Sequence, residues 1–133
     1  MSEIFSPEWM ESFGNQWNAE AGLADALAEI DFDSNIAYGF AGDPAPKGVL
    51  VVEKGHVVRS GAYNGEPLNW DIRSTPEQWD KWLTKPPSMM TLGVSYTTGK
   101  LKFETGDYAA MIKDPRMAGP FIKSFAAMSR VAA

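Results

Sequence analysis

The chain contains no cysteine and only one histidine among its 133 residues. The first absence removes disulfides, thiol nucleophiles and cysteine-based zinc sites together. The second leaves His56 as the sole imidazole. It sits in the predicted hairpin turn Glu53-Lys54-Gly55-His56, where no partners can be placed around the ring for acid–base work. A basic surplus is also missing. Twelve Lys and Arg against 17 Asp and Glu leave a net charge of −5, which repels phosphate backbones and argues against nucleic acid as a partner. The same balance disfavours strong docking on anionic lipid. No run approaches the ~18 apolar residues of a membrane span, so no stable membrane insertion is expected. The segment MSEIFSPEW lacks the basic and long apolar regions of a signal peptide, and Val131-Ala132-Ala133 is not the S-K-L peroxisomal address. A cytoplasmic location is the expectation.

Catalytic templates are absent as well. There is no G-x-S-x-G and no G-x-G-x-x-G. Gly99-Lys100 fails as a phosphate loop, because Val94 stands where the first glycine belongs and Leu101 where Ser or Thr belongs. Asp31-Phe32-Asp33-Ser34-Asn35 begins like a calcium loop, but Ile36 and Gly42 occupy the places of its glycine and closing glutamate. The acids Asp31, Asp33, Asp71, Asp80, Glu104 and Asp107 are scattered over predicted turns and wet faces. No catalytic residue, metal or cofactor is implied, and the reading is of a protein that is not an enzyme.

What is present is a globular composition, 44% hydrophobic and 22% charged, at a length that suits a single domain over residues 1–133. The organising stretch is Tyr96 to Asp107. Leu101, Phe103 and Thr105 alternate with Lys100, Lys102 and Glu104, the pattern of a strand with one buried face. Gly99 and Gly106 bound it, and Asp107 stands at the N-cap of a helix beginning Tyr108-Ala109-Ala110-Met111-Ile112. Upstream, Ser6-Pro7-Glu8 opens a helix whose Trp9, Met10, Phe13 and Trp17 share a face. Leu23, Ala26, Leu27 and Ile30 form a second short amphipathic helix.

Four strands follow. They lie at Ile36 to Ala41, at Val49 to Val52 as a central strand, at Val57 to Tyr63 with a bulge at Gly61, and at Leu68 to Arg73 after an Asn64-Gly65 turn. Thr75-Pro76-Glu77-Gln78 caps a helix carrying Trp79, Trp82 and Leu83. Ser88 to Val94 is too short for more than about two helical turns. The last helix starts near Pro120 and carries Phe121, Ile122, Phe125 and Met128. Helices segregated from an antiparallel-rich sheet make this an α+β fold with helices on one side.

The side chains in surplus are soft and apolar: seven Met and five Trp. Methionine adapts its shape, so it lines surfaces that accept varied apolar ligands as readily as it fills cores. The chain resembles the type-two sterol-carrier-protein family of lipid-binding domains. The likeness rests on Ser6-Pro7-Glu8-Trp9, the paired strands of Gly48 to Val58, the tryptophan-bearing Thr75 to Leu83, and Gly99-Lys100-Leu101-Lys102-Phe103 closing on Gly106-Asp107. It is one of layout, from about Pro7 to Met128. The resemblance implies a five-stranded, mainly antiparallel sheet with helices on one face. It also implies an apolar tunnel between them for a fatty acid, fatty acyl-CoA, sterol or similar lipid, bound and transferred without catalysis. By position, the tunnel wall would be Trp82, Met89, Met90, Phe103, Met111, Phe121, Phe125 and Met128. Lys113, Arg116 or Lys123 would meet a ligand carboxylate at the mouth. The alternative is a protein–protein interaction or dimerisation module serving a lipid-metabolising enzyme, in which the same side chains cover a homodimer or partner face.

Overall fold

The computed structural model describes residues 3–131. The first helix, α1 (Pro7–Ala19), begins where Ser6 accepts a hydrogen bond from the Trp9 amide at 3.2 Å and Pro7 fills N1. Trp9, Met10, Phe13, Gly14 and Trp17 are its buried face. After the short α2 (Ala24–Ala28) come β1 (Ser34–Phe40), β2 (Gly48–Glu53), β3 (His56–Ala62) and β4 (Trp70–Ser74). Then follow α3 (Pro76–Thr84), α4 (Met89–Thr97), β5 (Lys102–Thr105), α5 (Tyr108–Ile112) and α6 (Pro115–Ser129).

The five strands form one sheet in the order β3-β2-β1-β4-β5. Three pairings are antiparallel; β1 and β4 run parallel, with Tyr38 opposite Ile72. A parallel neighbour needs a crossover rather than a hairpin. The Asn64-Gly65 turn therefore does not fold β4 back on β3; it starts a connection that carries the chain past β2 to the far side of β1. β2 is an interior strand, paired on both sides as expected, and β1 lies at the middle of the sheet. The sheet is α+β and mainly antiparallel, with helices on one face, as the sequence indicates.

Alternation fixes which side chains meet the helices. Ile36, Tyr38, Leu50, Val52, Trp70 and Ile72 point into one core with Trp9, Phe13, Trp17, Trp79 and Phe125. Gly14 permits the close seating of α1, because a Cβ there would stand 3.0 Å from Val57 of β3. Trp79 donates from Nε1 to the Gly39 carbonyl of β1 at 2.9 Å, and Trp17 donates to the Gly55 carbonyl at 3.0 Å. Each fixes a helix to the sheet through a satisfied buried polar group.

Four local expectations change. The last helix starts at Pro115, capped by Asp114, so Pro120 lies inside it rather than at its start. The irregularity of β3 lies at Val58, not Gly61: Val51 pairs with Arg59 and Val52 with Val57, so Val58 is the extra residue. In β5, Ile72 pairs with Phe103 and Asp71 with Thr105, so Glu104 is extra. One inserted residue reverses the side-chain parity beyond it. Phe103 therefore joins the helix-facing side with Ile72, while Thr105 falls opposite Asp71 and away from it. Finally, α4 runs nine residues, longer than Ser88 to Val94, and much of it is exposed rather than oily core.

The opposite face of the sheet holds a buried ion pair. Arg73 and Asp71 are 3% and 5% exposed, and the guanidinium binds both carboxylate oxygens at 2.6 and 3.0 Å. Its Nη1 also donates to the Phe40 and Asp43 carbonyls, tying down the β1–β2 loop. Breaking a buried pair strands a charge, at a cost of about 3–5 kcal/mol. We expect Arg73→Met to lower unfolding free energy in urea by about that much; a loss below ~1 kcal/mol would place the pair among weak surface bridges.

Candidate ligand site

Between β1, β4 and α6 lies a narrow apolar cavity of about 40 Å³. Its floor is the helix-facing side of the sheet: Ile36 and Tyr38 from β1, Trp70 and Ile72 from β4. Its roof is Met117, Pro120, Phe121 and Ser124 from α6. Trp17, Leu27 and Phe32 close one flank and Met111 of α5 another. The two hydroxyls on this wall are quiet. Ser124 donates its hydroxyl to the Phe121 carbonyl, and burial pushes ionisation of the Tyr38 phenol well above its ordinary range. The wall carries no charge at neutral pH.

The volume decides how the site can work. It has room for about three waters, whereas pockets for organic ligands measure roughly 300–1,000 Å³. The conformation is a closed one, and a lipid enters only if a wall moves. The roof helix α6 lacks part of its internal bonding. Pro120 lies inside it and removes a hydrogen bond from its first turns, next to Gly119, whose Cβ position is open space. The roof residues Met117 and Phe121 lie on either side of Pro120.

Outside the cavity is a shallow depression that shares four of its residues: Phe32, Trp70, Met111 and Met117. These four side chains form the partition between cavity and solvent. The Trp70 ring is seated against Gly106, where φ is +107° and any Cβ would overlap the indole. The outer depression is bordered by Asp33, Asp107 and Asp114. Each aspartate has a local reason to be there. Asp33 accepts from the Lys54 amide, and Asp107 and Asp114 cap α5 and α6. Arg116 forks onto Asp114 and holds that carboxyl below its ordinary range. Ser34, at the start of β1, also borders this depression; its hydroxyl is buried and has no hydrogen-bond partner.

The residues singled out from sequence fall into four groups. Met111 and Phe121 line the cavity. Phe103, Phe125 and Trp82 stand behind it in one chain of rings. Phe103 is 6.1 Å from Phe121, Phe121 is 5.3 Å from Phe125, and Phe125 is 5.6 Å from Trp82. Trp82 keeps its Nε1 buried without an acceptor. Met128 is buried at the other end of α6, on a separate depression with Ile4, Trp9 and Leu83. Met89 and Met90 are exposed on α4, outside the cavity.

Of the basic residues expected at the mouth, Arg116 is committed to Asp114, the Lys123 side chain lies over Gly22, and Lys113 is exposed at the C-cap of α5, outside the lining of both the cavity and the outer depression. The rim is acidic instead. Sequence reasoning missed the floor residues Ile36, Tyr38, Trp70 and Ile72. Their alternation marked an inward face, but only the parallel β1–β4 pairing sets them side by side.

No protein-family model matches the chain, and no curated protein matches it. Solved structures do. One described as sterol carrier protein 2 aligns over 98% of this chain and 100% of its own, with a TM-score of 0.73 at 21% identity. A conserved hypothetical protein of Thermus thermophilus, described as possibly a sterol carrier protein, aligns over 98% of this chain and 91% of its own (TM-score 0.68, 21% identity). A ubiquinone synthesis protein, UbiJ-SCP2, aligns over 93% and 90% with a TM-score of 0.57 at 10% identity. The chain has the sterol-carrier-protein-2 fold.

The roof gives a direct prediction. Phe121→Ala should enlarge the cavity and, because the ring is only half-buried, cost about 2–3 kcal/mol in denaturant unfolding. The same variant should take up a small apolar probe such as a fluorescent naphthalene dye more readily than the parent. Unchanged stability together with unchanged uptake would mean that Phe121 does not close the cavity.

Proposed function

We propose that the chain, residues 1–133, is one lipid-binding domain that carries an apolar ligand between the sheet and α6 and performs no chemistry on it. The observation that carries this reading is the cavity itself: an uncharged wall of aromatic, aliphatic and methionine side chains roofed by a helix that carries a proline in its first half. The fold shared with structures described as sterol carrier proteins supports it. The ligand class is a sterol, a fatty acid or its thioester, or a similar lipid, handled in the cytoplasm.

Affinity would come from burial. Each methylene removed from water contributes roughly 0.8 kcal/mol, so a long acyl chain offsets both the cost of association and that of moving α6. Met111 and Phe121 are the contacts we assign first. Phe103, Phe125 and Trp82 come into reach as the roof lifts, with Met128 at the far end of the same helix. Met89 and Met90 would touch ligand only on its way in or out. The rim remains net negative with Arg116 paired to Asp114, which disfavours a free carboxylate at this end and favours a neutral polar group.

Native mass spectrometry of the untreated protein, followed by organic extraction, tests the proposal. The expected result is a one-to-one adduct of lipid mass. After its removal, long-chain alcohols or sterols should displace a fluorescent acyl probe better than the matching fatty acid at pH 7. A bare protein that ignores all of these at micromolar concentration would overturn the carrier reading. A fatty acid outcompeting its alcohol would overturn only the assignment of the acidic rim as the head-group end.

A further inference from the structure

Five large apolar side chains are exposed among the described residues, and four of them belong to α4. Met89 is 47% exposed, Met90 80%, Val94 57% and Tyr96 41%. Leu92 and Ser95 are the buried residues of this helix. Met90 and Val94, one turn apart, therefore form an outward apolar ridge on an element only ~13 Å long.

The charges around this ridge run against those of the whole chain. Residues 81–102 contain four lysines, Lys81, Lys85, Lys100 and Lys102, and no acid, while the rest of the sequence carries eight basic residues against 17 acidic ones. All four lysines are exposed. Lys81 and Lys85 border a depression that reaches Ser88 and Thr91 at the start of α4; Asp80 lies on its edge. Lys100 and Lys102 follow the end of α4 after the Gly99 turn. The first acids beyond the stretch are Asp80 and Glu104.

We propose that α4 and its flanking lysines form a reversible docking surface for an anionic lipid bilayer. An apolar ridge flanked at both ends by long cationic side chains suits the interface between head groups and acyl chains. There Met and Val enter the apolar layer and the ammonium groups reach lipid phosphates. Protein interfaces are depleted in Lys and rely on aromatic anchors. The aromatic residue here, Tyr96, is instead turned toward Tyr108 and Phe103, 4.5 and 6.1 Å away. Those rings in turn contact Phe121, so one layer of rings links the docking helix to the roof of the cavity. The surface does not depend on the cavity being occupied and is tested without any ligand in it.

The experiment is co-sedimentation of the full chain with vesicles of phosphatidylglycerol and phosphatidylcholine, against pure phosphatidylcholine, at low salt. Retention on the anionic vesicles alone is expected, with loss at 0.5 M salt. Each lysine near a charged surface contributes roughly a five-fold factor. Replacing all four by Gln should therefore weaken binding by at least ~100-fold, and Met90→Ser/Val94→Ser by about ten-fold. Because all six side chains are exposed, melting temperatures should stay with the parent. Absence of retention on anionic vesicles, or retention indifferent to both variants, would overturn the proposal. So would a concentration-dependent mass that Met90→Ser/Val94→Ser abolishes without any vesicle binding, which would make the ridge a face between copies.

Discussion

The structure depends on one buried indole. Trp79 is fully inaccessible and donates its only proton to the Gly39 carbonyl of the central strand. Its ring meets Phe5, Tyr38, Trp82 and Phe125, with centroids between 5.1 and 6.4 Å. One side chain thus fixes α3 to β1, α3 to α6, and the approach to α1 to both. Aromatic pairs contribute about 0.5–1.5 kcal/mol each beyond area burial, and the hydrogen bond adds direction that packing alone lacks. With α6 held at Phe125, its first half, from Met117 to Phe121, is the part left to cover the sheet at a site where packing is looser.

That division explains how a tightly packed core and a ligand cavity share one fold. The dense aromatic cluster occupies the end of the sheet near Phe5, Tyr38 and Trp79. The cavity adjoins it across Tyr38, toward the start of β1 and β4 and under the first half of α6, which carries Pro120. A permanently open tunnel would leave apolar walls without contacts, losing dispersion energy and inviting water. A closed cavity of about 40 Å³ avoids that cost and defers it to the moment of ligand entry. Short α5, the edge strand β5 and exposed α4 surround this end.

Much of this was legible in the chain. Caps at Ser6, Thr75 and Asp107, each followed by an apolar helical face, give three helix starts that the hydrogen bonds bear out. The alternation of Ile36 with Tyr38 and of Trp70 with Ile72 gives two inward faces. What the sequence could not give is the pairing of those faces. The Asn64-Gly65 turn reads as a hairpin, and a parallel partner across a crossover leaves no local signature. The bulge at Glu104 is equally silent, yet it decides that Thr105 leaves the face that Phe103 occupies. The wall expected from sequence was helical apart from Phe103, whereas four of the twelve lining residues, Ile36, Tyr38, Trp70 and Ile72, come from β1 and β4. Net charge misled in the same way. A chain of −5 argues against anionic lipid as a whole, while 22 consecutive residues of it carry only positive charge.

The central claim is that ligand lodges under the first half of α6, and methionine reports it well, because the side chains are spread over distinct environments. The most direct measurement is methyl NMR of protein labelled at the methionine methyl groups, titrated with a long-chain alcohol or a sterol. Large shifts are expected for Met111 and Met117 and little change for Met10, which is buried on the inner face of α1 away from the cavity. Ligand that shifts only Met89 and Met90, or leaves Met111 and Met117 unmoved at saturation, would contradict it.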